Sequence, residues 1–237
     1  MDESPKDLTP GSAVAPKSAR TKSAIIDAAL RLFRERGYEA TTMRAIAAEA
    51  DVSLGNAYYY FKSKEHLIQA FYDRTQVEHA EAAAPVLERE IDLAARIIGV
   101  VEAWVDAMEP YRAFAGTFFK NAADPTSPLS PFSLESADAR RSAIALWQRV
   151  IEGSDAKIPK KLRGELPELL WLYFMGTVLY WVHDRTENAT RTRLLIRRTA
   201  PLVVQAIGLA RLPVFRSTLN EVVGLIADLT TVGPEQA

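Results

Sequence analysis

Residues Thr41 to Lys64 read TTMRAIAAEADVSLGNAYYYFKSK, two short helices written on either side of a two-residue turn. Thr41 or Thr42 can cap the first by accepting a hydrogen bond from an otherwise orphaned amide, and Ile46, Ala47 and Ala50 then recur at helical spacing. Ser53 can cap the second, which gathers Leu54, Ala57, Tyr58 and Phe61 on one face. Asp51-Val52 is too short a link for the helices to run on, so they must cross, and aspartate tolerates the left-handed backbone of such turns. The other face of the second helix carries Gly55, Asn56, Tyr59 and Tyr60, a poor lining for a core and a good one for a nucleic-acid groove. The stretch predicts a helix-turn-helix.

Helical patterning extends outward on both sides. Upstream, Ile25, Ala28, Ala29, Leu32 and Phe33 form the apolar stripe of a helix predicted from about Thr21 to Arg36 and ended by Gly37. Downstream, Ser63 can cap a helix from Lys64 to Ala80 that turns Leu67, Ile68, Phe71 and Tyr72 inward. Further helices are predicted at Ile91 to Met108, Tyr111 to Asn121, Glu135 to Ile151, Leu166 to His183, Ala189 to Leu209 and Val214 to Thr230. Pro125, Pro128 and Pro131 make NAADPTSPLSPF (121–132) a loop, since each proline deletes a donor and restricts its neighbour, and GSDAKIP (153–159) is a second break. No alternating strand pattern and no fixed-period repeat is present. The expected fold is all-α, an N-terminal three-helix unit followed by a helical bundle, with residues 1–19 a disordered tail rich in Pro, Ser and Lys.

Bulk properties bound the function classes. The 237 residues are 48% hydrophobic and 25% charged, ordinary for a globular chain able to bury a sizeable core. The absence of cysteine excludes disulfides and thiolate metal sites and fits a reducing cytoplasm. The first twenty residues lack the apolar centre of a signal peptide. The longest apolar run, Leu169 to Val182, falls short of the roughly 20 residues of a membrane span, so a buried helix and no membrane partner are expected. The net charge of −1 is unevenly spread: Arg20 to Lys64 holds eight basic against five acidic side chains, and the remainder is acidic. A local basic face is what phosphate binding requires.

The same residues resemble the DNA-binding module of TetR-type transcriptional repressors. That family's pattern, a helix ending in Gly, then T-T-x-R-x-I-A, then V-S-x-G-x-x-Y-x-x-F-x-x-K-E, is met by Gly37, Thr41, Thr42, Arg44, Ile46, Ala47, Val52, Ser53, Gly55, Tyr58, Phe61, Lys64 and Glu65. Asp51 stands where the family commonly has Gly, and Ala57 where a larger aliphatic is common. The resemblance implies that residues 20–66 bind DNA and that residues 67–237 bind a ligand and dimerise, joined by the helix from Lys64. A recognition helix enters the major groove by its N-terminal end, and the amides at the start of the preceding helix suit a phosphate. Carrying the family roles across, Thr42, Tyr60 and Lys64 are expected on phosphates, with Tyr58 placing its ring on the core and its hydroxyl on the DNA backbone, and Lys62 assisting electrostatically. Met43, Arg44, Ser53, Leu54, Gly55, Asn56 and Tyr59 are placed to reach base edges, where Asn pairs with adenine and Arg with guanine. One module reads few base pairs, so a dimer on a palindrome is expected, with half-site centres about 34–36 Å apart or at multiples of that.

Leu166 to His183 is apolar on every side, which predicts burial against both the domain interior and a second subunit. The resemblance implies a four-helix dimer interface built from two late helices of each subunit. Trp104, Phe114, Phe118, Phe119, Trp147, Trp171, Phe174 and Met175 are candidates to line an apolar cavity for a lipophilic or aromatic effector, simple core packing being the alternative at each position. His183-Asp184-Arg185 reads as the polar turn that ends the helix. An enzyme is disfavoured: the three histidines, His66, His79 and His183, follow Ser63, Gln76 and Tyr180 by three residues, so no E-x-x-H metal motif exists. No phosphate-cradling Gly loop and no G-x-S-x-G element is present either. No catalytic residue, metal or cofactor is expected. The reading is a cytoplasmic, homodimeric regulator relieved by a small molecule, with repression or activation set by where the operator lies.

Overall fold

Helix α1, Lys17–Arg36, buries Ile25, Ile26, Ala28, Ala29, Leu30, Leu32 and Phe33 along one side. It begins four residues before Thr21, so Lys17 to Ala19 are helix rather than tail. The computed structural model describes residues 17–211, Glu221 and Gly224, the side chains of residues 113, 114, 117, 118 and 121 excepted. The remainder of the expected tail and most of the expected helix at 214–230 lie outside those residues. Gly37 ends α1 at φ 82°, its N–H donating to the Phe33 carbonyl at 3.0 Å, a backbone conformation that a side chain would disfavour.

The Thr42 hydroxyl accepts from the Ala45 amide and caps α2, Met43–Glu49, while the Ser53 hydroxyl accepts from the Asn56 amide and caps α3, Leu54–Tyr60. Between them Asp51 takes φ 54°, the left-handed turn expected of it, and the Val52 amide closes the corner on the Ala47 carbonyl at 3.0 Å. Ile46, Ala47, Ala57 and Phe61 complete the small core begun by α1.

The described chain divides into two compact units, one ending at Leu67 and one beginning at Ile68, inside α4, Lys64–Arg89. This helix runs nine residues past the expected Ala80 and continues through Pro85. Alanines 80 and 82–84 are strong helix formers, and they carry the helix across a proline that leaves one carbonyl without its ladder donor.

In the second unit follow α5, Leu93–Met108, capped by the Asp92 carboxylate on the Ala95 amide, a 3-10 turn at Glu109–Tyr111 and α6, Arg112–Ala122. Then come α7, Ala137–Glu152, the unforeseen single turn α8, Lys160–Arg163, α9, Leu166–His183, and, after a 3-10 turn at Glu187–Ala189, α10, Thr190–Leu209. α9 packs on α6, α7 and α10, and α5 packs on α7 and α10. No strand occurs among the described residues, so the fold is all-α.

Two polar devices hold this unit. The buried Arg96 guanidinium donates to the carbonyls of Leu87 (2.7 Å) and Glu90 (2.6 Å) at the end of α4 and to those of Arg149 (2.8 Å) and Val150 (2.7 Å) at the end of α7. Last-turn carbonyls lack helical donors and carry the negative end of the helix dipole, so one cation satisfies two helix ends. Asp184 accepts from the amides and hydroxyls of both Thr186 and Thr192, tying α9 to the first turn of α10. Burial alone pushes the Asp184 carboxyl up, but these donors hold it down at about 2. The polar turn read from the sequence is thus a cap.

Candidate nucleic-acid interface and ligand cavity

The outer side of α2 and α3 is open. Thr42, Arg44, Ser53, Gly55 and Lys62 are exposed, Leu54 and Asn56 are half-buried, and Tyr59 is 80% exposed. A Cβ built on Gly55 would meet nothing within 4 Å, so the chain's own packing does not require a glycine there. Two expectations are corrected. Met43 is 7% exposed: it shares the buried face of α2 with Ile46 and Ala47, at i, i+3 and i+4, and is removed from the groove-facing set. Tyr58 is 48% exposed, because Ala57 and Phe61 occupy the inward direction of α3 and leave its ring at the margin rather than on the core.

Two residues expected on phosphates are engaged within the unit. The Tyr60 hydroxyl donates to the Ser18 hydroxyl at 3.2 Å. The Lys64 ammonium donates to the Tyr38 carbonyl, and the Tyr38 hydroxyl donates to the Glu65 carboxylate at 2.8 Å. Burial, then the bond to Glu65, pushes the Tyr38 phenol above its ordinary range. Burial would raise the Glu65 carboxyl, but the Ser63 hydroxyl, its own amide, Tyr38 and Lys64 together bring it below its ordinary value. Sequence reasoning missed the part played by Tyr38, whose aromatic character directly after Gly37 was the available signal.

The second unit encloses a cavity of about 550 Å³, within the roughly 300–1,000 Å³ range of small-molecule sites. Trp104, Phe119, Trp171, Phe174 and Met175, all expected as lining, stand in its wall. Trp147 does not: it is buried behind the wall, its ring 5.9 Å from that of Phe174, where it packs α7 on α9. The side chains of Phe114 and Phe118 lie outside the described residues. The wall also takes Phe71 and Tyr72 from α4, Tyr111, Phe132 from the proline-rich loop, Arg140 from α7 and Trp181 from α9, none of which the sequence reading assigned to it. Phe71 and Tyr72 had been read as inward-facing, and that was the signal.

The polar groups of this wall are few and mostly engaged. The Tyr72 hydroxyl donates to the Leu129 carbonyl at 3.4 Å and the Thr75 hydroxyl to the Tyr72 carbonyl at 2.9 Å. One guanidinium nitrogen of Arg140 donates to the carbonyls of Pro131 (2.6 Å) and Ser133 (3.2 Å). Among the described residues no Asp or Glu lines the cavity. Behind it, His79 stacks on Phe174 at 5.8 Å with Nε2 bonded to the Val100 carbonyl, and burial holds its imidazole below the ordinary value. Among the described residues no cluster of three His, Asp or Glu side chains is placed to hold a metal, and no helix is long and apolar enough to cross a membrane.

A capped helix-turn-helix with an open outer side, followed by a helical unit built around an apolar cavity, defines the class as a helix-turn-helix transcriptional regulator. Residues 25–71 match the family described as bacterial regulatory proteins, tetR family, and residues 96–225 match the tetracyclin repressor-like C-terminal domain. The chain belongs to the TetR family, whose members are DNA-binding regulators of transcription and not enzymes.

Among curated relatives, the HTH-type transcriptional repressor Rv3405c of Mycobacterium tuberculosis is 38% identical over 81 residues, 32% of this chain and 43% of that protein. The repressor KstR of Rhodococcus jostii is 54% identical over 44 residues, 19% of this chain and 21% of its own length. The chain thus spans less than half the length of the curated relatives it matches. Among solved structures, a TetR regulator from Nitrosomonas europaea has a TM-score of 0.59 at 24% identity, covering 77% of this chain and 97% of that one. FadR from Bacillus subtilis, solved in complex with stearoyl-CoA, has a TM-score of 0.58 at 15% identity, covering 75% and 96%. These likenesses are of fold.

Proposed function

We propose that this regulator is a cytoplasmic repressor that binds a palindromic operator as a homodimer and is released by a small lipophilic effector. The observation that carries the DNA reading is the outer side of α3: Ser53, Gly55 and Tyr59 are exposed on a helix whose inner side is the core of its unit. The proposed contact set is Thr42, Tyr60, Lys62 and Lys64 toward phosphates and Arg44, Ser53, Leu54, Gly55, Asn56 and Tyr59 toward bases. Tyr58 joins the phosphate set through its hydroxyl, its exposed ring being free to approach the DNA backbone.

The homodimer reading rests on apolar side chains left exposed on the late helices: Leu172, Leu179 and Tyr180 on α9, and Leu194 and Leu202 on α10. A helix apolar on all sides is soluble only where its second face is covered, and a twofold copy covers it with the same residues. The effector reading rests on the cavity of about 550 Å³ and its aromatic wall. The stearoyl-CoA bound by the Bacillus subtilis FadR is in keeping with a lipophilic ligand for this chain. An effector releases DNA only by binding the DNA-incompetent state more tightly than the competent one.

Fluorescence anisotropy at two salt concentrations tests the proposal, using DNA from immediately upstream of the protein's own gene. The expected result is binding that outcompetes random DNA and weakens steeply with salt. Binding no tighter than to random DNA would remove that operator, and a monomer in sedimentation at micromolar protein would remove the homodimer.

A further inference from the structure

The apolar cavity adjoins an outer groove between α4 and α7, and Gln76 and Ala139 stand in the walls of both. The groove's other polar wall residues, Asp73, Glu81, Ser142 and Arg149, are exposed, so it is open to water. Gln76 is half-buried, and its amide has no hydrogen-bond partner among the described residues. Arg140, next to Ala139 and in the cavity wall, is half-buried too. Its Nη1 donates to the Pro131 and Ser133 carbonyls, while Nε and Nη2 have no partner among the described residues. None of these free donors is sealed from solvent.

Resting on the effector reading above, we infer that the effector is a lipophilic carboxylate, its hydrocarbon in the cavity and its head where cavity and groove adjoin, accepting from the Gln76 amide and the Arg140 guanidinium. A carboxylate has two acceptor oxygens and makes its strongest hydrogen bonds with charged donors. Full burial of an ion is costly, but at this junction the head keeps part of its water while the tail leaves it. Trp104, Met108, Phe174 and Met175 meet the tail with rings, methylenes and sulfur. An organic cation is disfavoured. It would meet the guanidinium inside and could turn only to Asp73 and Glu81 outside, both exposed and screened by salt.

Three probes on one flexible chain test this by isothermal titration calorimetry at neutral pH: octanoate, octan-1-ol and octylammonium. Octanoate is expected to bind about tenfold tighter than octan-1-ol, with octylammonium weakest. In Arg140→Met the advantage of octanoate should vanish while octan-1-ol keeps its affinity. Arg140 also holds the loop through Pro131 and Ser133, so that variant can fail to fold. Gln76→Glu then decides, since Gln76 holds nothing in place: octanoate should weaken about tenfold and octan-1-ol should not change.

Octanoate binding no tighter than octan-1-ol or octylammonium would overturn the inference and leave the effector reading standing. A preference for octanoate that survives in either folded variant would also overturn it, since the carboxylate would then lie elsewhere. Saturable binding by none of the three would overturn the effector reading and this inference with it.

Discussion

Lys64 gives its ammonium to the carbonyl oxygen of Tyr38, 2.7 Å away, and lies over the same residue's ring at 4.3 Å from its centre. The first residue of α4 is thereby pinned to the chain just beyond α1. An ammonium has three donors, so this contact leaves others for a phosphate. Lys64→Met, which keeps the stem and deletes the charge, should lower stability by about 1 kcal/mol and reduce the salt slope of DNA binding by about 1. Thermal melting and anisotropy across a salt series check both. A lower melting temperature with an unchanged slope would make Lys64 a strut and remove it from the phosphate set.

Gly55 separates folding from recognition. Open space surrounds the position, and alanine is the better helix former by roughly 0.5–1 kcal/mol, so Gly55→Ala should raise the melting temperature slightly. The added methyl would stand where DNA must approach, and operator affinity should fall by about tenfold, near 1.4 kcal/mol. Equal operator affinity in the variant would show that the groove does not come that close. Asn56→Ala, by contrast, should relax base preference at one operator position, read by selection from a randomised half-site.

Gly153 is required by Arg96. Its φ of −84° suits any residue, but a Cβ there would collide with the Arg96 guanidinium. Gly153→Ala should therefore destabilise the second unit by about 2–3 kcal/mol, the order expected for overpacking and disturbed charged hydrogen bonds. Urea unfolding measures it. Pairing the change with Arg96→Met, which is itself costly, should give clearly less than the sum of the two effects, because one contact underlies both.

Asp184 predicts an acid limb in the stability profile. Its carboxyl is held at about 2 in the folded chain against an ordinary 3.8, so its contribution is complete above about pH 4 and is lost as pH falls toward 2. The depression corresponds to on the order of 2 kcal/mol. Asp184→Asn should lose that amount at pH 7 and show a shallower decline between pH 4 and 2 than the native chain, by urea titration at each pH. Parallel declines would mean that the threonine donors do not hold the carboxylate.

The helix-turn-helix was legible because its determinants are local. Thr42 and Ser53 cap the helices after them, Gly37 stops the one before, and Asp51 turns left-handed, each a property of a residue and its near neighbours. Met43 was misread although its spacing to Ile46 and Ala47 already put it on the buried stripe. The length of α4 was underestimated because the alanines around Pro85 outweigh the proline, a balance of energies rather than a pattern. In the cavity, Trp147 and Trp171 were alike candidates for the lining, as large aromatics on predicted helices. Which of two inward tryptophans meets empty space and which meets another side chain depends on helices far apart in the chain, and no spacing encodes that.

The four carbonyls that receive Arg96 have a consequence for how this regulator responds to its surroundings. Peptide oxygens do not titrate, and a guanidinium keeps its proton throughout the range in which proteins fold. A buried charge held by peptide dipoles is also little screened by dissolved ions. The joint between the ends of α4 and α7 is thus indifferent to acidity and ionic strength, whereas phosphate contacts to DNA weaken steeply as salt is added. Adding salt to a complex with DNA should strip the nucleic acid and leave the protein's frame as rigid as before, so that the two events separate cleanly in one titration.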